Sequence, residues 1–160
     1  MDESTLSHTK NVEILIADPH FQLPELSDAF VSMEAINMML VNLAKYQFND
    51  AIKIFIERND IQDNYLLRYA DSELLPFLLM DRGFDPRETR VFRIAVNRLI
   101  YGDKRFWNDN IQIIRFLLKD GRILKTDIKQ ELEDAMEFND REINDEKLRE
   151  TLNKYYEQII

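Results

Sequence analysis

The chain contains few of the residues that carry out catalysis or bind metals. It has no Cys, which excludes thiolate metal sites and cysteine nucleophiles. Its two histidines, His8 and His20, stand in a polar start and a proline-flanked loop, and neither has the histidine four residues away that a helical zinc site uses. Ser and Thr without a histidine base argue against hydrolase chemistry. The sequence therefore predicts no enzyme, no cofactor and no metal site.

An acidic run near the C-terminal end is the densest group of potential ligands. It consists of Glu131, Glu133, Asp134 and Glu137. Helical di-metal sites combine such carboxylates with a Glu-x-x-His spacing, and the chain has no such spacing. It also has no Gly-rich phosphate-binding loop. We interpret the acidic run as the solvent-facing side of a helix.

Basic residues cluster in the middle of a chain whose net charge is -9. Acidic ends flank this slightly basic segment, residues 51–124. The overall negative charge would repel a phosphate backbone, so we expect no binding to nucleic acid. No run approaches the roughly 20 apolar residues of a membrane span, and the N-terminus has no apolar leader.

The basic cluster has two interpretations. In the first, its arginines pair with nearby acids, among them Asp85 and Asp103. In the second, the loop 81–90 and the following helix form a partner-binding ridge, because Arg offers forked donors to carboxylates and interfaces favour aromatic residues. Phe84 would then be exposed in the loop, although it could also plug a seam between helices. The residues that we expect in this ridge are Arg82, Phe84, Arg87, Arg90 and Arg93.

The elements that must position these residues are helices. Apolar residues recur at helical spacing, and the chain has only three Gly and four Pro. We expect an all-α fold with a flexible N-terminus, residues 1–10, and a single domain, residues 11–160. Asn49 and Asp50 should cap one helix, and Gly121 should end another. The expected helix pairs cover about 32–46 and 51–57, 64–70 and 74–80, 91–101 and 104–119, and 126–138 and 146–160.

A recurring cassette links several of these helices. Each copy has an apolar helical run, then Asp or Arg, then a break and another apolar residue, and its equivalent core positions are Ile14, Ile54, Phe77 and Phe116. Such recurrence is typical of stacked repeat proteins. The intervals between copies are uneven, so the alternative is a helical bundle without repeats.

The cassettes at residues 60–70, 77–86 and 116–122 resemble ankyrin repeats, in particular the divergent ankyrin-like repeats of giant DNA viruses that infect amoebae. Small residues at Ala44, Ala70, Ala95 and Ala135 would belong to successive inner helices. The Thr-Pro-Leu-His tetrapeptide of standard ankyrins is absent. The resemblance implies a solenoid-like stack of degenerate ankyrin-like helix pairs.

The same resemblance implies a non-catalytic module for protein–protein interaction that uses a concave face and projecting loops. The alternative is a structural component of a viral particle or assembly. The lack of Cys, of a signal peptide and of a membrane span predicts a soluble intracellular protein. We expect it in the cytoplasm, which would be the host cytoplasm or the virion if the protein is viral. We expect a monomer or weak homo-oligomer that binds another protein.

Overall fold

The computed structural model describes residues 33–160, and every regular element in that range is helical. The all-α prediction is therefore confirmed for this part of the chain. The helices are α1 (Met33–Lys45), α2 (Asn49–Asn59), α3 (Leu74–Pro76), α4 (Val91–Tyr101), α5 (Trp107–Asp120), α6 (Lys125–Phe138) and α7 (Glu146–Ile159). Two 3₁₀ turns cover Asn64–Arg68 and Lys104–Phe106, while π-helical turns extend α3 over Phe77–Asp81 and α6 over Asn139–Ile143. The predicted flexible N-terminus, His8, His20 and the first cassette at Ile14 lie outside the described residues.

The helices form consecutive pairs. The first element packs against the second in the pairs α1 with α2, α4 with α5, and α6 with α7, and the 3₁₀ turn Asn64–Arg68 precedes α3 in the remaining pair. First elements also contact one another in chain order, because α1 meets this 3₁₀ turn, the turn meets α4, and α4 meets α6. We call this series the first-helix row. Between second helices, α3 contacts α5.

One apolar core runs through all of these pairs. The buried residues include the small side chains predicted for the inner helices, since Ala44, Ala70, Ala95 and Ala135 are all buried. Small residues allow close packing of neighbouring backbones, which suits the place of Ala44, Ala95 and Ala135 in the first-helix row, whereas Ala70 follows the 3₁₀ turn. Larger side chains fill the space between the pairs, and those with almost no exposure include Ile52, Ile56, Leu74, Leu75, Leu78, Ile114, Leu117, Leu132 and Leu152.

The cassette positions are not equivalent in burial. Phe77 is buried, whereas Ile54 and Phe116 are half-buried at the margin of the core. The expectation of matching core positions was therefore wrong for Ile54 and Phe116. Ile52 and Ile114, two residues before these positions, are completely buried instead.

Left-handed residues mark the ends of three second helices. Asp60 has φ 48°, Gly83 has φ 70° and Gly121 has φ 75°. This conformation ends a helix and lets its last carbonyls accept hydrogen bonds from the following residues. The prediction for Gly121 is confirmed, and the next apolar side chain after each break is buried, at Ile61, Phe84 and Ile123.

Polar contacts at the turns join each pair to the next, and we call them the turn ladder. The Asn49 amide donates to the Asp71 carboxylate, and the Ser72 hydroxyl donates to the Asp109 carboxylate at 2.5 Å. The Lys104 ammonium lies 3.6 Å from the Asp145 carboxylate. The three carboxylates lie at or near the N-termini of α3, α5 and α7, where the helix dipole favours negative charge.

The predicted cap at Asn49 and Asp50 is wrong. Helix α2 already begins at Asn49, and its N-terminal flanking residue, Phe48, makes no side-chain cap. Asn49 is buried and uses its amide across the turn instead. Within residues 33–160, none of the helices combines the length and apolar character needed to cross a bilayer.

Candidate binding surface

The structure removes Phe84 from the predicted ridge. Its side chain is 1% exposed, and its N–H donates to the carbonyl of Leu78 at 2.9 Å. The left-handed turn at Gly83 directs Phe84 back into the core between neighbouring pairs. The expectation of an exposed loop aromatic was therefore wrong, since burial of a large apolar surface outweighs the loop position.

Arg82 forms an ion pair within the protein. Its guanidinium Nη2 donates to Asp60 Oδ1 at 2.8 Å, which ties the end of α3 to the end of α2. Only 24% of the Arg82 side chain is exposed, and its Nε is buried without a hydrogen-bond partner in the described residues. Arg82 is consequently poorly placed to meet a partner.

Arg87 pairs with Asp85, as the first interpretation of the basic cluster predicted. Its Nη2 lies 2.6 Å from Asp85 Oδ2, and its Nε lies 3.0 Å from Oδ1. Hydrogen bonds from the Arg87 side chain and backbone lower the pKa of Asp85 to about 2. Because 61% of the Arg87 side chain is exposed, the pair remains on the surface. Asp103 pairs with Arg105 in the same way, at 2.6 Å.

Arg90 directly precedes α4, and Arg93 lies in its first turn. Arg93 Nε lies 3.7 Å from the Glu131 carboxylate of α6. The Arg90 side chain is exposed and forms no ion pair within residues 33–160. The structure therefore keeps these two arginines as candidate binding residues.

A central groove lies between the 3₁₀ turn Asn64–Arg68 and α4. It has a volume of about 520 Å³ and is lined by Arg68, Arg90 and Arg93 together with Tyr65 and Asn97. Its one carboxylate, Glu88, accepts a 2.7 Å hydrogen bond from Asn64. Thr89 also lines the groove, and its hydroxyl oxygen is buried with no partner in the described part of the chain.

A second groove follows between α4 and α6. Its volume is about 410 Å³, and Arg87, Arg90 and Arg93 form one wall. The facing wall carries Asp127 and Glu131. Burial raises the pKa of Glu131, although the charge of Arg93 opposes this shift.

The third groove lies between α1 and the 3₁₀ turn, and its volume is about 490 Å³. Met38 and Val41 contribute apolar surface, and Tyr65 and Tyr69 stand opposite, with their hydroxyl oxygens 3.2 Å apart. Sequence reasoning missed this groove. Its signal was the four-residue spacing of the two tyrosines, which places both on one side of a helical turn.

The three grooves form one continuous surface across the first-helix row. Tyr65 lines both the α1 groove and the central groove, and Arg90 and Arg93 line both the central and the α6 grooves. We call this surface the first-helix face. Its centre is basic, whereas the α6 groove mixes arginines with acids and the α1 groove mixes apolar with polar side chains.

Carboxylates of the predicted acidic run have ordinary structural partners. Within the acidic run, Glu133 accepts a 2.7 Å hydrogen bond from the Tyr156 hydroxyl, and Asp134 accepts one of 2.8 Å from the Gln130 amide. Among residues 33–160, no three His, Asp or Glu side chains converge as metal ligands.

Comparison with known proteins finds no matching family model, curated protein or solved structure. The resemblance to ankyrin repeats thus remains a hypothesis supported by the sequence cassettes.

Proposed function

We propose that this protein is a non-catalytic recognition module and that the first-helix face binds another protein. We further propose that its helix pairs constitute a solenoid-like, ankyrin-like stack. The single observation that carries the functional proposal is the continuity of three grooves across the first-helix row through Tyr65, Arg90 and Arg93.

The sequence in which the helices contact one another supports the proposed stack. Each first element meets the first element of the next pair, and the turn ladder links the same pairs in the same order. A stack of this kind has few contacts between distant pairs, so its first elements can present an extended surface. The 3₁₀ turn Asn64–Arg68 replaces a full first helix in one pair. This replacement suits the short interval between the cassette positions Ile54 and Phe77.

The exposed side chains on the first-helix face support a binding role. Met38 is 61% exposed and Tyr65 is 43% exposed, and Arg90 is exposed beside them. Met, Tyr and Arg are enriched at protein interfaces, because they combine a large contact area with polar groups. A face with these residues and with joined grooves suits an elongated protein segment better than a small ligand.

A matched pair of variants tests this proposal. The face variant combines Met38→Ala with Arg90→Gln, and the control variant combines Met80→Ala with Arg105→Gln. Met80 is 74% exposed, and the Arg105 side chain is 82% exposed outside the three grooves. Affinity capture followed by mass spectrometry should recover a partner with the wild type and the control variant, and lose it with the face variant.

Melting temperatures of both variants show whether they fold. Equal capture by the two folded variants would show that the first-helix face is not the interface. Sedimentation of the purified wild type should give a monomer or weak oligomer. Large assemblies of the chain alone would instead support the structural role in an assembly.

A further inference from the structure

The first-helix face also carries information on the chemistry of its partner, and this inference rests on the proposed function. The central groove has an excess of positive charge, because Arg68, Arg90 and Arg93 line it with Glu88 as the only acid. Glu88 is held by Asn64, and Arg93 is shared with Glu131 at the long distance of 3.7 Å. Arg90 is exposed and forms no ion pair within residues 33–160, although its charge also acts on Glu131 across the α6 groove. Its guanidinium is therefore available for an external anion.

A carboxylate is the anion that suits these arginines. Its two oxygens can accept hydrogen bonds from the forked donors of a guanidinium, and such charge-assisted bonds are stronger than neutral ones.

The neighbouring α6 groove is mixed in charge. Arg87, Arg90 and Arg93 form one wall, and Asp127 and Glu131 stand on the α6 wall. A carboxylate there would meet two acids of like charge as well as the arginines, whereas the central groove offers three arginines and one acid. The central groove is therefore the better place for an acidic side chain.

The α1 groove on the other side offers apolar surface for a side chain. Met38 and Val41 line one wall, and the rings of Tyr65 and Tyr69 line the other, with ring centroids 5.6 Å apart. The remaining lining residues are polar or charged, and they are Glu34, Asn37, Asn42 and Lys45. Packed helices lie about 8–10 Å apart. An extended chain rises about 3.3 Å per residue, so neighbouring grooves are about three residues apart along such a chain.

We propose that the first-helix face binds an extended peptide segment with one Asp or Glu side chain in the central groove and an apolar side chain about three residues away in the α1 groove. The acidic side chain pairs with Arg90. The apolar side chain covers Met38 and Tyr65.

The test is a selection of random 12-residue peptides displayed on phage against the immobilised full chain. Enriched peptides should share one Asp or Glu and an apolar residue two to four positions away. Synthetic copies should bind in fluorescence anisotropy, and Glu→Gln in the peptide should weaken binding by about tenfold, as the loss of a charge-assisted hydrogen bond predicts.

Variants of the protein separate the central groove from the rest of the face. Arg90→Gln should weaken the acidic peptide by about tenfold, whereas Arg105→Gln should leave it unchanged. Arg90→Glu should abolish binding of the acidic peptide, and the same variant should bind a peptide that has Lys in place of Glu. A misfolded variant would bind neither peptide, so binding of the Lys peptide would show that the face is intact.

Two results would overturn the inference while sparing the proposed function. One is enrichment of peptides that depend on Arg90 and Met38 but share no acidic residue. The other is binding at least tenfold tighter when phosphoserine replaces the acidic residue, since that would assign the groove to a phosphate. Enriched peptides unaffected by Arg90→Gln and Met38→Ala, or no enrichment at all, would overturn both proposals.

Discussion

Asn49 and Asp71 join the first two helix pairs through two hydrogen bonds, in which the Asn49 amide lies 3.1 Å and 3.0 Å from the two carboxylate oxygens of Asp71. Asp71 Oδ1 also accepts from the backbone N–H groups of Glu73 and Leu74. One carboxylate thus caps the start of α3 and holds a buried amide at the start of α2. This double role makes Asp71 important for the first step of the turn ladder.

We expect Asp71→Ala to lower the free energy of unfolding by about 2–4 kcal/mol. Loss of a helix cap costs about 1 kcal/mol, and a buried amide left without its partner costs about 1–3 kcal/mol. Urea unfolding followed by circular dichroism measures the change. The matched control is Asp81→Ala, because Asp81 is exposed at the end of the π turn after α3. Equal effects of the two substitutions would show that the Asp71 contacts add nothing to stability.

Phe84→Ala should destabilise the protein by about 3–5 kcal/mol, since a fully buried Phe would leave a cavity in the core. Phe106→Ala is the control, because Phe106 is 48% exposed and should cost much less. Chemical denaturation curves of the two variants compare them directly. A Phe84 variant as stable as the Phe106 variant would contradict the burial of Phe84.

Local sequence patterns predicted the helices well. Helical spacing placed α4 at residues 91–101, where the structure has it, and Gly121 ends α5 because its left-handed conformation suits glycine. The pattern could not show that residues 64–68 form a 3₁₀ turn or that α3 continues as a π turn. Those differences depend on how the chain packs against α1 and α4, which lies outside any local window.

The candidate surface was only partly predictable. Arg90 and Arg93 line grooves as expected, because both stand at the exposed start of α4. The prediction for Phe84 was wrong because its loop folds back into the core. Arg82 is poorly placed for binding because it pairs with Asp60, 22 positions away in the sequence. Such long-range partners are set by the packing of helix pairs and cannot be inferred from spacing.

Acidification should test the Asp85–Arg87 pair. The pKa of Asp85 is lowered to about 2 by hydrogen bonds from Arg87, so the ionised pair stabilises the fold above the ordinary Asp pKa near 4. That contribution is lost as the pH falls from about 4 through about 2. In Arg87→Gln the pKa of Asp85 should lie closer to its ordinary value. Titration of the Asp85 carboxyl carbon by NMR measures it, and an unchanged value would show that Arg87 does not cause the shift.

Binding to duplex DNA should be absent or weak at physiological salt. The net charge of -9 opposes contact with phosphates, and the acidic α6 wall borders the basic central groove. A mobility-shift titration with a labelled duplex provides the measurement. Tight binding that weakens steeply with salt would instead assign Arg68, Arg90 and Arg93 to nucleic acid.

The final prediction concerns the second step of the turn ladder, where Ser72 meets Asp109. The Ser72 hydroxyl and backbone N–H both donate to Asp109 Oδ1, at 2.5 Å and 3.1 Å, and so tie α3 to α5. Ser72→Ala removes one donor to a half-buried carboxylate and should cost about 1–2 kcal/mol. Its effect should vanish when Asp109 is already Ala, which gives a coupling energy of about 1–2 kcal/mol in a double-mutant cycle.

The control for this cycle pairs Ser72→Ala with Asp103→Ala. Asp103 pairs locally with Arg105 and belongs to a different turn, so the two effects should add. A coupling energy near zero for Ser72 and Asp109 would show that the hydrogen bond does not transmit stability between pairs. The expected coupling would mean that neighbouring pairs are held together at their turns as well as through the core, which keeps the first-helix row in register across the grooves.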